Sequence, residues 1–358
     1  MRCALRILVM LLSVWGISGC TDGNRQVLEI IVPVGEGGGS DQWARALAPY
    51  LQRYLDNSLT VQVVNITGAA GVQGGNVFAL RRKPDGRTLF VSSGSQVLPW
   101  LLGEPAVRYD FENMRGIAGS PVGGVVYASA DLGIRSVEEL CASDQTLIYG
   151  GISPTGLDMA PLLSFELLGV EVIDILGYAG KGAARVALEQ GETNLDYQTS
   201  PAYLANVLPL VEEGRAVPLF SFGLIDGDGQ VIDDPVFPDL PGMRKAYRAC
   251  RGHEPSGVAW EAYRAVLMAG FAAQKGLWVH ANAPEDRVQE LITAAEKATG
   301  DPEFLERASR LIGGYDFYVG DNVDAALAET ARISLEARRW LVEFLEHGFD
   351  VALPEPVR

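Results

Sequence analysis

Four short segments of the chain combine small residues with hydrogen-bond donors where an apolar run gives way to a helical pattern. The first segment, Gly35 to Asp41, holds three consecutive glycines, and Ser40 or Asp41 can cap the helix that follows. Exposed backbone amides and the partial positive charge of a helix N-terminus together favour a bound carboxylate. This segment therefore predicts anion binding, and its candidate residues are Gly37, Gly38, Gly39, Ser40 and Asp41.

The other three segments repeat this pattern in both halves of the chain. Ser92 to Ser95 places hydroxyl donors directly after a predicted strand, and Ser153 to Gly156 precedes a predicted helix. Gly180 to Ala183 adds an ammonium group to exposed amides. Because the pattern recurs, we expect one ligand site built from both halves. The additional candidates are Ser93, Ser95, Ser153, Thr155, Gly156, Lys181 and Gly182.

Motifs for catalysis and for cofactor binding are incomplete in this sequence. A dinucleotide fingerprint needs glycine where Ser40 stands, and a phosphate-binding Walker loop around Lys181 needs a hydroxyl residue where Gly182 stands. The Gly-x-Ser-x-Gly elbow of α/β hydrolases does not occur. The three histidines are widely spaced and have no cysteines at metal-ligand intervals. We therefore expect a protein that is not an enzyme and that holds no cofactor and no metal.

The composition bounds the class of protein. The chain has 358 residues, of which 48% are hydrophobic, and this length predicts two domains with a cleft between them. The formal charge is -16, and no run of basic residues interrupts the acidic sequence. We therefore expect that the protein does not bind nucleic acid. We expect a monomer.

The first twenty residues are typical of an export signal. Arg2 and Arg6 are followed by an apolar run from Ile7 to Ile17, which is too short for a membrane-spanning helix. The segment Ile17 to Cys20 resembles the lipobox of bacterial lipoproteins, which implies cleavage before Cys20 and a lipid anchor on its thiol. An ordinary signal peptide, with Cys20 incidental, is the alternative.

Two further cysteines, Cys141 and Cys250, remain in the exported part of the chain. An oxidising compartment permits them to form a disulfide. The sequence does not give the distance between them, so a disulfide and two free buried thiols both stay open.

The order of apolar runs and helical periods predicts an α/β fold. Short β-branched runs alternate with helical stretches from residue 27 onward, and the chain after residue 284 is mostly helical. The segment 225–257 is rich in Asp, Gly and Pro and predicts a long surface excursion. The predicted strands are 27–34, 59–66, 88–92, 125–129, 146–150, 172–176, 193–197, 216–222 and 276–280.

Several motifs in a fixed order resemble one family. They are Ile31-Val32-Pro33 before Gly37 to Asp41, then Ala44-Arg45, Val64-Asn65 before Gly68 to Gly71, Pro84-Asp85-Gly86, Thr88-Leu89, Lys181 to Ala184, and Asp196. Over most of its length the chain is similar to the substrate-binding proteins of tripartite tricarboxylate transporters, also called Bug proteins.

This resemblance implies a two-lobed fold of the type II periplasmic binding class, which closes about a hinge over a small organic carboxylate. It also implies delivery of the ligand to large and small integral membrane subunits, on the periplasmic side of a bacterial cell envelope. Tyr178 and Asp196 join the candidate ligand-binding residues by the same resemblance. Tyr178 departs from the family pattern, because two residues separate it from Lys181.

The domain boundaries expected from this resemblance divide the chain into five parts. They are a signal peptide at 1–19, the lipidated cysteine and tether at 20–26, a first lobe at 27–124, a second lobe at 125–275, and a helical return to the first lobe at 276–358. Two other functions stay open: a binding module that reports a solute to a membrane sensor, and an envelope hydrolase.

Overall fold

The computed structural model describes residues 26–55, 59–226, 229–272, 274–330 and 333–354. The predicted signal peptide and the predicted lipidation at Cys20 lie outside these residues. None of the helices in the described ranges is long and apolar enough to cross a membrane.

Strands and helices alternate along the chain, which confirms the α/β prediction. The strands are β1 (Gln26–Val32), β2 (Leu59–Asn65), β3 (Thr88–Ser92), β4 (Met114–Ser120), β5 (Gly124–Ser129), β6 (Ile148–Gly150), β7 (Ile173–Ile175), β8 (Leu195–Thr199), β9 (Ala216–Ser221), β10 (Leu224–Ile225), β11 (Val231–Ile232), β12 (Lys275–His280) and β13 (Tyr318–Val319). The helices are α1 (Gly39–Tyr54), α2 (Val72–Arg81), α3 (Gly94–Leu102), α4 (Val137–Cys141), α5 (Met159–Leu168), α6 (Lys181–Glu189), α7 (Ser200–Asn206), α8 (Leu208–Glu212), α9 (Met243–Arg251), α10 (Val258–Leu267), α11 (Glu285–Thr299), α12 (Pro302–Ile312), α13 (Asp321–Thr330) and α14 (Leu335–Phe349).

The first sheet has the strand order β13-β4-β12-β3-β1-β2. Strand β1 runs parallel to β2 and β3, whereas β12 runs antiparallel to β3 and β4. Leu89 and Val91 of β3 lie in one hydrophobic cluster and Phe90 lies in another, so both faces of this sheet are covered. Burial on both faces is why β3 is an uninterrupted apolar run in the sequence.

The second sheet has the strand order β7-β6-β8-β5-β9. Strand β6 runs parallel to β7 and β8, and β5 runs antiparallel to β8 and β9. The chain passes from the first sheet to the second through Pro121 to Gly123, between β4 and β5, and returns to the first sheet at β12. Each sheet with its helices thus forms one lobe.

A buried polar network joins the two lobes where the chain passes between them. The Tyr315 hydroxyl donates to Asp234 Oδ2 at 2.7 Å and lies 2.8 Å from Ser200 Oγ. Burial raises the pKa of the Asp234 carboxyl, and the bond from Tyr315 opposes that rise. A side chain at Gly123 would collide with the Asp234 carboxylate, so only glycine fits beside this network.

Strand β4 and the segment 225–257 are two of the places where the structure differs from the sequence-based expectation. Strand β4 was not predicted, because Gly116 and Gly119 interrupt a segment with few β-branched residues. The segment 225–257 is not merely a surface excursion, since it contains β11 and α9. Helix α9 buries Met243 and Ala246 while its basic residues face outward.

Cys141 and Cys250 are joined by a disulfide, which decides the question that the sequence left open. The bond connects the end of α4 to α9, and the two Cα atoms are 5.8 Å apart. It therefore fixes the segment 225–257 to the body of the second lobe.

We expect the double variant Cys141→Ala/Cys250→Ala to lose about 2–4 kcal/mol of unfolding free energy, because the cross-link no longer restricts the unfolded chain. The bond closes a loop spanning 109 residues, long enough for this effect to be near its upper range. Equilibrium urea unfolding would measure the loss, and wild-type protein in reductant should show the same midpoint as the double variant. Identical midpoints for oxidised wild type and the double variant would contradict this expectation.

Candidate functional site

The predicted loops lie at the carboxyl ends of parallel strands in both lobes. Strands β1 and β3 end beside each other, so the segments after Val32 and Ser92 share one edge of the first sheet. Strands β6 and β7 do the same in the second sheet. The two edges face each other, because a side chain at Gly94 of the first lobe would meet Leu157 of the second lobe at 2.5 Å. Ligands of α/β proteins bind at such edges.

The first glycine loop is braced by the carboxylate of Asp41. Its oxygens accept bonds from the Gly37 amide at 2.8 Å, from Asn65 Nδ2 at 2.8 Å and from Arg45 Nε at 2.9 Å. Asp41 is only 2% exposed. Burial raises the pKa of its carboxyl, but the bonds from Arg45, Asn65 and Gly37 outweigh burial and lower it. Asp41 therefore stays ionised and shapes the loop.

The expected helix cap at Ser40 or Asp41 is wrong. Helix α1 begins at Gly39, so both residues already lie inside its first turn, and the cap position is Gly38 with no side-chain bond. The amides that open a helix have no acceptor within it. At Gly39 a side chain would meet only the Lys275 ammonium, at 3.8 Å. The start of α1 is therefore an open set of backbone donors.

Lys275 is a site residue that the sequence did not indicate. It is the first residue of β12, and its Nζ donates to Ser40 Oγ at 3.1 Å. Burial lowers the pKa of its ammonium to about 7. The fold thus places a half-buried cation next to the start of α1. No spacing rule could pair residues 235 positions apart, and a lysine at a strand start gives no local signal.

Ser93 and Ser95 occupy the start of α3 at the same edge. Ser93 is the cap residue of α3 and exchanges capping bonds with Gln96. The Gln96 amide also donates to the Ala70 carbonyl at 3.1 Å, which ties this loop to the one after β2. Ser95 is half-buried in the first turn. Ser93 was predicted to donate its hydroxyl to a ligand, and in the structure it caps α3 and so has a structural role in this loop.

In the second lobe, Asp158 organises the loop that holds Ser153, Thr155 and Gly156. Its Oδ2 accepts from the amides of Ile152 at 2.9 Å and Ser153 at 3.2 Å. The hydroxyls of Ser153 and Thr155 lie 3.2 Å apart. Sequence reasoning did not single out Asp158, although a carboxylate shortly after a strand end is a usual brace for a loop.

Lys181 and Asp196 form an internal ion pair, which changes the roles expected for both. The ammonium contacts the Asp196 carboxylate, donates to the Gly150 carbonyl at 2.9 Å and lies 4.4 Å from the centre of the Tyr197 ring. Asp196 is fully buried and also accepts from Tyr127 at 2.6 Å. Burial raises the pKa of the Asp196 carboxyl, and Lys181 opposes the rise.

In this structure Lys181 is paired with carboxylates of the protein itself, and its role toward an anionic ligand stays a prediction. Its ammonium is directed inward, 3.5 Å from a second carboxylate at Asp158. Asp196 likewise has no exposed surface from which to bind a ligand. Sequence alone could not separate an inward from an outward lysine.

Helix α6 provides a second open N-terminus, in the other lobe. It begins at Lys181, and its cap residue Gly180 makes no side-chain bond. Side chains at Gly180 and Gly182 would meet nothing within 4 Å. Tyr178 is half-buried, and its amide donates to the Gly151 carbonyl at 3.2 Å. Helices α1 and α6, which both start without a side-chain cap, belong to opposite lobes.

Comparisons with known proteins bear on this geometry. No family model matches the chain. It is 30% identical over 190 residues to Protein BugT of Bordetella pertussis, covering 50% of this chain and 56% of BugT. The chain thus spans about half the length of this curated relative.

Solved structures extend the likeness to nearly the whole chain. The periplasmic binding protein BugD matches with a TM-score of 0.65 at 22% identity, covering 90% of this chain and 98% of BugD. MatC from Rhodopseudomonas palustris, solved with bound malate, matches with a TM-score of 0.63 at 20% identity, covering 88% of this chain and 98% of MatC. The chain has the two-lobed fold of periplasmic binding proteins. The predicted resemblance to the Bug proteins is confirmed.

The Lys181 pair gives a stability prediction. We expect Lys181→Ala to lower the free energy of unfolding by about 3 kcal/mol, because it leaves the Asp196 carboxylate buried without its partner. The control is Arg185→Ala on the same helix, which breaks a pair with Glu189 nearer the surface and should cost less than about 1 kcal/mol. Equal losses of unfolding free energy for the two variants would show that the buried pair of Lys181 with Asp196 contributes no more than the pair nearer the surface.

Proposed function

We propose that the protein is an extracytoplasmic solute receptor that binds a small organic carboxylate between its lobes. The observation that carries this proposal is the open start of α1, braced by Asp41 and flanked by the Lys275 ammonium. A helix start with free amides is an anion site, and the neighbouring cation adds a charge-assisted bond. The similarity to BugT and the malate in MatC support the same ligand class.

Dicarboxylates suit the arrangement of donors. One carboxylate would bind the amides of Gly39 and Ser40 and the ammonium of Lys275. The other would face the uncapped start of α6, across the space between the lobes. A ligand that touches both lobes stabilises the closed form by its differential contacts, which is how hinge closure is driven.

Local donors are required because the protein as a whole repels anions. Its formal charge is -16, so long-range attraction cannot supply affinity. Amides and one amine in a partly buried site act over short range, where screening is weak. Such a site also releases its ligand more readily than a buried ion pair would.

The remaining parts of the proposal concern place and partners. The receptor would be lipid-anchored through Cys20 on the periplasmic side of a bacterial envelope. Its domain boundaries would be the five predicted from the sequence. It would deliver its ligand to the large and small membrane subunits of a tripartite tricarboxylate-type transporter. Reporting the solute to a sensor is the second candidate, and transport assays with and without those subunits would separate the two.

The first test blocks the amides without disturbing the fold. We expect Gly39→Val to weaken carboxylate binding by at least about tenfold, because the loss of one hydrogen bond to a charged ligand is worth roughly 1.5–3 kcal/mol. Calorimetric titration would measure the change. The matched control is Gly348→Val, another helical glycine with open space around it. If both variants bind as the wild type does, the start of α1 is not the ligand site.

The second test uses the titration of Lys275. A bound carboxylate would raise the pKa of this ammonium from about 7, so binding takes up a proton above neutral pH. We expect the affinity to be highest below pH 7 and to fall by several-fold between about pH 7 and pH 8. Lys275→Met should bind more weakly at pH 6 and show a flat profile. A wild-type profile as flat as that of the variant would remove Lys275 from the site.

A further inference from the structure

A basic surface lies at the end of the first sheet opposite the ligand loops. It consists of Arg81, Arg82, Lys83 and Arg87, at the end of α2 and the start of β3, and we call these residues the basic surface. They line a shallow pocket of about 350 Å³ together with Val27, Glu29, Gln62, Asp85 and Thr88.

The charge of this surface contrasts with that of the whole chain. Four cations and two carboxylates line the pocket. One of the carboxylates, Glu29, forms a salt bridge with Arg82 at 2.6 Å. Arg81, Lys83 and Arg87 are exposed. Within the described ranges, these three side chains form no salt bridge. A locally positive surface on a chain of formal charge -16 fits an anionic partner.

The position of the basic surface indicates which anionic partner it meets. Strand β1 begins at Gln26, and its second residue, Val27, lines the pocket. Cys20 precedes Gln26 by six residues, which reach at most about 20 Å when fully extended. A lipid on Cys20 would therefore hold the basic surface close to the bilayer. The exposed apolar side chains of Val27 and Leu80 lie beside these cations.

We propose that the basic surface binds the anionic headgroups of the membrane that holds the Cys20 anchor, and so orients the receptor. This inference rests on the proposed lipidation of Cys20. Basic residues next to a lipid anchor add about fivefold each in membrane affinity. The remaining acidic surface is repelled by the same headgroups, which favours a single orientation.

The orientation has a consequence for the ligand site. Gly39 follows the carboxyl end of β1, whereas the basic surface lies at its amino end. The seven residues of β1 separate the two ends by about 20 Å. The opening between the lobes would therefore point away from the bilayer in the ligand-free receptor.

The test measures vesicle binding of the predicted exported chain from Thr21 onward, so that neither the apolar run of the export signal nor a lipid on Cys20 contributes. Vesicles of phosphatidylcholine alone are compared with vesicles holding about 30% phosphatidylglycerol at low salt. We expect clear binding to the anionic vesicles only, and its loss at about 0.5 M salt. Adding Arg81→Gln, Lys83→Gln and Arg87→Gln should reduce binding by at least about tenfold.

The matched control neutralises three exposed cations elsewhere, Arg135→Gln, Lys297→Gln and Arg339→Gln, for the same change in net charge. It should reduce binding by less than about threefold. Equal losses for the two triple variants, or no preference for anionic vesicles, would overturn the role of the basic surface. Mass spectrometry of native Cys20 tests lipidation separately. An unmodified cysteine would refute the anchor without altering the vesicle result.

Discussion

The carboxylate of Asp41 is the contact on which the first half of the site depends. It joins the amide of Gly37 to the side chain of Asn65 at the end of β2, and Asn65 in turn donates to the Val34 carbonyl at 2.9 Å. These bonds hold the glycine loop against two strand ends at once. With the carboxylate fully occupied by the protein, the loop presents its amides, rather than its acid, to the space between the lobes.

The second lobe follows the same principle with different residues. Asp158 holds the loop after β6, and the pair of Lys181 with Asp196 fixes the start of α6 to the sheet. In both lobes the strong charges are neutralised inside the protein, and neutral backbone donors are left at the surface of the cleft. Lys275 is the exception, because burial brings its pKa close to neutrality and no carboxylate contributes to that shift. It is the group through which ligand charge and pH would be coupled.

Much of the fold could be predicted from the sequence, because β-branched runs and glycine-rich turns are local signals. Strand β3 was predicted with its exact ends, and the first glycine loop was found from its composition alone. Residues paired over long distances could not be predicted, since Lys275 meets Ser40 only through the pairing of β12 with β3. The pair of Lys181 with Asp196 could not be predicted for a related reason: a sequence does not show which way a lysine points. The Cys141–Cys250 bond needed the packing of α4 on α9.

The network of Tyr315, Ser200 and Asp234 joins the two lobes beside Gly123, so the proposed closure would act on these buried groups. The most direct measurement of the whole account is a crystal structure of the protein with a bound dicarboxylate such as malate. The account predicts carboxylate oxygens within about 3.2 Å of the Gly39 and Ser40 amides, with Lys275 in contact and Lys181 still paired to Asp196. A ligand held by Lys181 instead, with the start of α1 unoccupied, would contradict it.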